Sequence, residues 1–317
     1  MRLCRFLHRG QIGVALYFDE FVVPLNPQVA QAVGWNVSVT SGDNLLDYAP
    51  PQGGGFNAAR TLAALLTRPG HEIPPEFRLA VSEIELLVPV PRPNKLFLLA
   101  GNYADHIREG GGVAAERAET FPYVFMKPAS TTLTDPGKPV QIPKISPQHI
   151  DWECELAVVI GRRGKHIPES EALSYVAGYT VINDISDRQF RPNPGRKPRD
   201  NDKFFDWLHG KWHDSFCPCG PCLTTADAIP DPQQLALGLS VNGQVRQQAS
   251  TSQQIFPVAA VIEFLSHICT LEPGDIISTG TPAGVGHTTG TYLHHGDVVE
   301  AWIERIGTLR SLVVAES

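Results

Sequence analysis

The stretch Asp151-Trp152-Glu153-Cys154-Glu155-Leu156-Ala157-Val158-Val159-Ile160-Gly161 sets two carboxylates at the start of an apolar run. From Leu156 to Ile160 the residues are apolar and partly β-branched, the mark of a buried strand. Side chains on a strand alternate between faces, so Glu153 and Glu155 share one face and Trp152, Cys154 and Leu156 the other. Two like charges about 7 Å apart at the edge of a core repel each other and resist losing their water. A divalent cation between them is the economical solution, because hard cations take carboxylate oxygens at about 2.0–2.6 Å. The alternative is a solvated sheet face carrying two surface glutamates.

Outward from this strand the pattern is rich in strands and short of helices. Gln11 to Pro24 reads as a hairpin turning at Asp19-Glu20. Asn57 is placed to cap a helix running to Leu66, and Ile84 to Val88 reads as a strand. The proline-punctuated link from Pro89 to Pro93 divides a β-rich N-terminal domain, 1–90, from a larger domain, 91–317. In the larger part Lys95–Leu99, Tyr179–Ile182, Asp275–Ser278 and Val298–Ile303 read as strands. Ala104–Glu109 and Glu169–Val176 read as short helices, and Pro257–Cys269 as an amphipathic one. Asn242-Gly243 marks a second hairpin. No βαβ repeat or GxGxxG fingerprint occurs, so the expected class is α+β, mostly β.

Composition narrows the function. Hydrophobic residues make up 42% of 317, enough for a substantial core, and the net charge of -7 argues against a nucleic-acid surface. No apolar run reaches the length of a membrane span, and the N-terminus shows no signal-peptide pattern, so a cytoplasmic location without membrane partners is expected. Cys217-Pro-Cys219-Gly-Pro-Cys222 looks like a zinc cluster but offers three thiols and no second pair, and its prolines and glycine suggest a rigid turn. It is expected to hold no zinc. The adjacent His294 and His295 point opposite ways on an extended chain and are not expected to chelate together.

Four further stretches bear on the paired glutamates. Val181-Ile-Asn-Asp184 delivers a carboxylate at a strand end, either a third oxygen ligand or a turn or helix-cap aspartate. In Gly101-Asn-Tyr-Ala-Asp-His106-Ile-Arg-Glu109, His106 and Glu109 share a helix face. A carboxylate bonded to one imidazole nitrogen leaves the other as a base; the alternative is a surface ion pair. Lys211 in Gly210-Lys211-Trp-His-Asp either holds an anionic group or lies on the surface. Ile277-Ser-Thr-Gly-Thr281-Pro-Ala-Gly-Val-Gly286 is a glycine-rich turn able to present N–H groups and hydroxyls to an anion, without the GK[ST] of an ATP loop.

Taken in order, GNYADHIRE, FMKPAS, DWECELAVVIG, VAGYTVINDISDR, GKWHDSFCPCGP and DIISTGTPAGVG resemble the blocks of the fumarylacetoacetate hydrolase family. The resemblance covers about residues 90–306 and is closest to the branch with acylpyruvate hydrolases and oxaloacetate decarboxylases. It implies a mixed β-roll catalytic domain, usually homodimeric, preceded by the smaller N-terminal domain. It implies Glu153, Glu155 and Asp184 as ligands of Mg²⁺, Mn²⁺ or Ca²⁺, and His106, Glu109 and Lys211 as the catalytic groups, the first two on a lid. Lys127, Arg188 and Thr281 fall on substrate-binding positions. Arg191 stands where many members carry a substrate-contacting glutamine, and Pro192 to Asp200 is long and basic. Arg191 either meets a second acidic group of the substrate or faces solvent.

The chemistry so implied is metal-assisted cleavage of a C–C bond, by hydrolysis or decarboxylation, in a 2-oxo acid or 1,3-dicarbonyl diacid such as an acylpyruvate. The alternatives are an isomerase, tautomerase or hydratase of related 2-oxo-enoates, and, in another class, a non-catalytic metal-binding relative.

Overall fold

The run Cys154–Ile160 forms a strand whose seven residues are all buried. It is flanked on both sides, antiparallel to Val176–Asn183 and to Ile276–Ser278, which explains why its sequence is apolar rather than alternating. The computed structural model containing it describes residues 1–32, 42–70, 73–114 and 116–317. Among these residues, twelve strands make one mixed sheet, five a second, and the pairs Ile150–Asp151 and Ser186–Asp187 a two-stranded ladder. The mixed, strand-dominated architecture is the one expected. No helix is long and apolar enough to cross a membrane among the described residues.

The large sheet runs through the link at Pro89–Pro93. Arg2–His8 pairs antiparallel with Cys217–Thr225, which in turn pairs with Val176–Asn183, so the N-terminal strands extend the sheet that carries the paired glutamates. At the other end Ile276–Ser278 lies parallel to Leu96–Ala100, whose outer neighbour is Tyr123–Met126. The five-stranded sheet contains the Asn242-Gly243 hairpin, Ala236–Val241 with Gln244–Ser250.

Three local expectations change. The helix after Pro50-Pro51-Gln-Gly-Gly-Gly55 is Phe56–Leu66 and begins behind Gly55, so Asn57 lies inside it rather than at its cap. A side chain at Gly55 would meet the Tyr48 ring at 2.7 Å, so the helix start is set by packing on Tyr48. The segment Glu169–Tyr175 is a 3₁₀ helix, and the following strand starts at Val176. Cys217 to Cys222 is not a turn but the first part of the strand Cys217–Thr225. Its ladder with Val176–Asn183 shifts register between Tyr179 and Val181, and that irregularity accommodates prolines in a buried strand.

Candidate active site

Glu153 precedes the strand Cys154–Ile160, and Asp184 follows Val176–Asn183. The ladder pairs Cys154 with Asn183, so these two ends lie side by side. The Asp184 N–H donates to the Glu153 carbonyl at 2.9 Å, and the Glu153 N–H to the Asn183 side chain at 2.9 Å. One oxygen each from Glu153, Glu155 and Asp184 fall within 4.8 Å of one another, all three residues being buried.

The surrounding polar groups differ for each carboxylate. Lys211 Nζ donates to Glu153 Oε2 at 2.8 Å and to Asp184 Oδ2 at 2.6 Å. Arg188 reaches Glu153 Oε1 at 2.5 Å. Burial alone would raise the Glu153 carboxyl, but Arg188 and then Lys211 hold it well below the usual carboxylate range. Lys211 is buried, which disfavours its charge, yet Asp184 and Glu153 raise its pKa and keep it an ammonium. Lys127 is also buried; it pairs with Asp184 Oδ1 and donates to the carbonyls of Ile185 at 2.9 Å and Phe216 at 2.5 Å.

Glu155 is the least compensated. Its Oε2 accepts from Ser278 Oγ at 2.6 Å and from the Gly280 N–H at 3.0 Å, while Oε1 is buried with no hydrogen-bond donor among the described residues. Asp184 Oδ1 likewise has no hydrogen bond there, only the Lys127 ion contact. Burial, then the charges of Asp184 and Glu153, push the Glu155 carboxyl well above its ordinary range. Four carboxylates, counting Asp151, face three cations, Lys127, Lys211 and Arg188. The orphaned oxygens, and a fourth carboxylate left without a cation of its own, fit a divalent cation, and an all-oxygen donor set suits Mg²⁺, Mn²⁺ or Ca²⁺.

Ala104–Glu109 is a helix with the bounds read from the sequence. His106 Nδ1 lies 2.8 Å from Glu109 Oε1, which leaves Nε2 as the free nitrogen. The other Glu109 oxygen accepts from the Gly284 N–H at 2.9 Å and lies 3.4 Å from Thr288 Oγ1. Glu155 bonds Ser278 and Gly280 of the turn whose Gly284 meets Glu109, so the His106–Glu109 pair stands beside the carboxylate cluster.

The glycine-rich turn carries these anchors. Gly280 serves Glu155, Gly284 serves Glu109, and Gly286 and His287 donate to Asp151 at 2.7 and 3.0 Å. Gly284 has φ +102, and a side chain there would meet the Arg246 carbonyl at 2.0 Å, so only glycine fits. Thr281 Oγ1 donates to the Cys154 carbonyl at 3.1 Å and accepts from Gln247 Nε2 at 2.8 Å.

The structure thus brings Glu153, Glu155, Asp184, Lys211, Lys127, Arg188, His106, Glu109 and Thr281 into one region. Arg191 lies exposed beyond it, with no ion pair among the described residues. Asp151 and Gln247 went unread in the sequence. Asp151 opens the quoted stretch, and its place two residues before Glu153, in the same alternation as Glu153 and Glu155, is the signal that could have found it. Gln247 gives no local signal; its role comes from a hairpin that folds back onto Cys154 and Pro282.

The thiols do not converge. Cys217 and Cys219 pack into one core and Cys222 into the other, and burial pushes Cys217 and Cys222 up to about 12, which keeps them neutral. His294 faces Asp297 at 4.0 Å while His295 Nδ1 accepts from the Ala315 N–H.

Comparison with known proteins gives a consistent relation. Residues 95–314 match the family model described as fumarylacetoacetate (FAA) hydrolase C-terminal. The mitochondrial oxaloacetate tautomerase FAHD2A of Bos taurus is 41% identical over 235 residues, covering 74% of this chain and 70% of that one. An uncharacterised protein of Pyrococcus horikoshii is 44% identical over 225 residues, 71% of this chain and 90% of that one. Among solved structures, maleylpyruvate hydrolase from Sphingobium sp. SYK-6, in complex with manganese(II) and pyruvate, is 27% identical with a TM-score of 0.71 and full coverage of both chains. The fumarylacetoacetate hydrolase of Exiguobacterium antarcticum is 29% identical with a TM-score of 0.74, again over both whole chains.

Proposed function

The chain belongs to the fumarylacetoacetate hydrolase family, and from that premise we propose that it is a divalent-metal-dependent enzyme that enolises a small 2-oxo diacid. The observation that carries the reading is the buried Glu153–Glu155–Asp184 group with an undonated Glu155 oxygen, beside a His106–Glu109 pair. A bound Mg²⁺, Mn²⁺ or Ca²⁺ would supply positive charge against the charge that develops on an enolate oxygen.

The protein's own groups do the rest. Glu109 fixes the His106 ring with Nδ1 towards its carboxylate, so Nε2 carries the lone pair that removes a proton from the carbon next to the keto group. The same nitrogen then returns the proton to oxygen, which is a tautomerisation. Lys211 spends two N–H bonds on Glu153 and Asp184 and keeps a third for a substrate oxygen. Arg188 beside Glu153 and Thr281 beside Cys154 are the further substrate-binding candidates, and the exposed Arg191 would meet a second carboxylate of the substrate. Lys127 supports the site by holding Asp184.

C–C cleavage was the leading sequence expectation. Proton transfer moves ahead of it because the curated relatives at about two-fifths identity include oxaloacetate tautomerases, FAHD2A of Bos taurus at 41% among them. Hydrolysis is the second reading, favoured by the whole-chain likeness to a maleylpyruvate hydrolase; there His106 would deprotonate a water instead of carbon. The His106–Glu109 pair speaks against a non-catalytic relative. We further propose a homodimer, as the resemblance implies.

The test follows the absorbance of enol-oxaloacetate as it converts to the keto form, with Mn²⁺ and after chelation, beside a panel of acylpyruvates. Protein-dependent acceleration that chelation removes supports enolisation. Loss of the acylpyruvate chromophore with release of two acids supports hydrolysis. Rates equal to Mn²⁺ in buffer for every compound would refute both.

A further inference from the structure

Asp151 is completely buried, is not one of the three proposed ligands, and has more donors than any other carboxylate near the site. Its Oδ1 accepts from the N–H groups of Trp152 at 2.8 Å and Gly286 at 2.7 Å. Its Oδ2 accepts from His287 N–H at 3.0 Å and Arg188 Nε at 2.7 Å. These partners lead in two directions. Arg188 continues to Glu153, one of the proposed ligands. Gly286 and His287 belong to the turn whose Gly284 N–H and Thr288 hydroxyl meet Glu109, the partner of His106.

We propose that Asp151 is a positioning residue that ties the two halves of the site together. It aims Arg188 along Glu153 on one side and fixes the ledge on which the helix Ala104–Glu109 docks on the other. The proposal rests on the reading of this region as an active site, but its geometry is a property of the metal-free protein.

Two physical features support it. An arginine whose charge is shared between two carboxylates is drawn away from either one alone, so Asp151 limits how tightly Arg188 grips Glu153. Without it Arg188 would pair with Glu153 only and compete with a cation for the same oxygen. The turn is also packed directly on this carboxylate: a Cβ at Gly286 would sit 2.8 Å from Asp151 Oδ1.

Asp151→Asn keeps the shape and one acceptor oxygen but removes the charge, and two measurements read its effect. In metal-free protein, amide hydrogen exchange should speed up at 284–290 and in the helix region 101–112, with the strand 154–160 unchanged. Exchange of 101–112 at the wild-type rate would overturn the proposal. In Mn²⁺ titration, Asp151→Asn should bind about 10-fold more weakly, the usual scale for a group that orients a ligand. In an Arg188→Met background the same change should have no further effect, because the route through Arg188 is gone. Unchanged affinity, or an undiminished loss in that background, would also overturn it. Should wild type bind no Mn²⁺, the proposed function falls, and the exchange result still decides the role of Asp151. If Asp151→Asn does not fold, His287→Pro deletes one donor in the first turn of a short helix, where proline is tolerated. Faster exchange of 101–112 in that variant supports the proposal, and the wild-type rate overturns it.

Discussion

The Glu109 carboxylate accepts the Gly284 N–H at 2.9 Å, so the helix that carries His106 is docked through the same side chain that orients the imidazole. Orientation and docking cannot be removed separately at Glu109.

For this reason His106→Ala and Glu109→Gln should differ in kind. His106→Ala is expected to lower turnover by about 10²–10⁴-fold and to leave metal affinity intact, since loss of an acid–base group has that scale. Glu109→Gln leaves one acceptor oxygen to serve two donors, Gly284 N–H and His106 Nδ1–H, so it weakens both roles while the imidazole stays, and it should cost less. Steady-state rates together with Mn²⁺ titration check both; near-normal turnover of His106→Ala would remove it as the base.

Glu155 sets a pH dependence. Its folded pKa is raised above the ordinary 4.5, by burial first and then by Asp184 and Glu153. The associated stability is therefore complete below that ordinary value and lost as pH rises towards the folded value. Glu153 is depressed, so its contribution is lost only as pH falls below the ordinary value. Above about pH 5 the Glu155 effect governs, and ion uptake must release its proton. Thermal melts should show a Mn²⁺-induced rise in Tm that grows from about pH 5 to 8, and calorimetry in buffers of different ionisation enthalpy should detect the proton. A constant rise without proton release would contradict this.

Gln247→Leu should destabilise the protein. It leaves the Cys154 N–H and the Pro282 carbonyl without their partner and frees Thr281, at about 1–3 kcal/mol for each buried group left unpaired. Denaturant melts would measure it; a change within about 0.5 kcal/mol, as at a surface site, would show that these bonds matter little.

Much of the site was legible because its chemistry is local in sequence. Glu153 and Glu155 alternate on one strand, and His106 and Glu109 lie a turn apart on a helix whose bounds the pattern gave. The strand bearing Cys217 was misread because two prolines and a glycine argue locally for a turn, while its place between two neighbours is decided by pairing with Arg2–His8 and Val176–Asn183. The continuity of the sheet across Pro89–Pro93 is equally non-local. Taken by itself Lys211 suits either an anion site or the surface, and Glu153 and Asp184 closing around it decide between them; Asp151 acquires its donors from segments 37 and 135 residues away.

The central claim is a divalent ion held by Glu153, Glu155 and Asp184, and calorimetric titration of Mn²⁺ into wild type and Glu155→Gln tests it most directly. The account predicts a single ion per wild-type chain and binding at least about 10-fold weaker in the variant. The metal-free variant should also melt higher than wild type at neutral pH, because an amide is neutral beside Asp184 and Glu153 without having to take up a proton on folding. Equal affinity in the two proteins, or no binding by wild type, would contradict it.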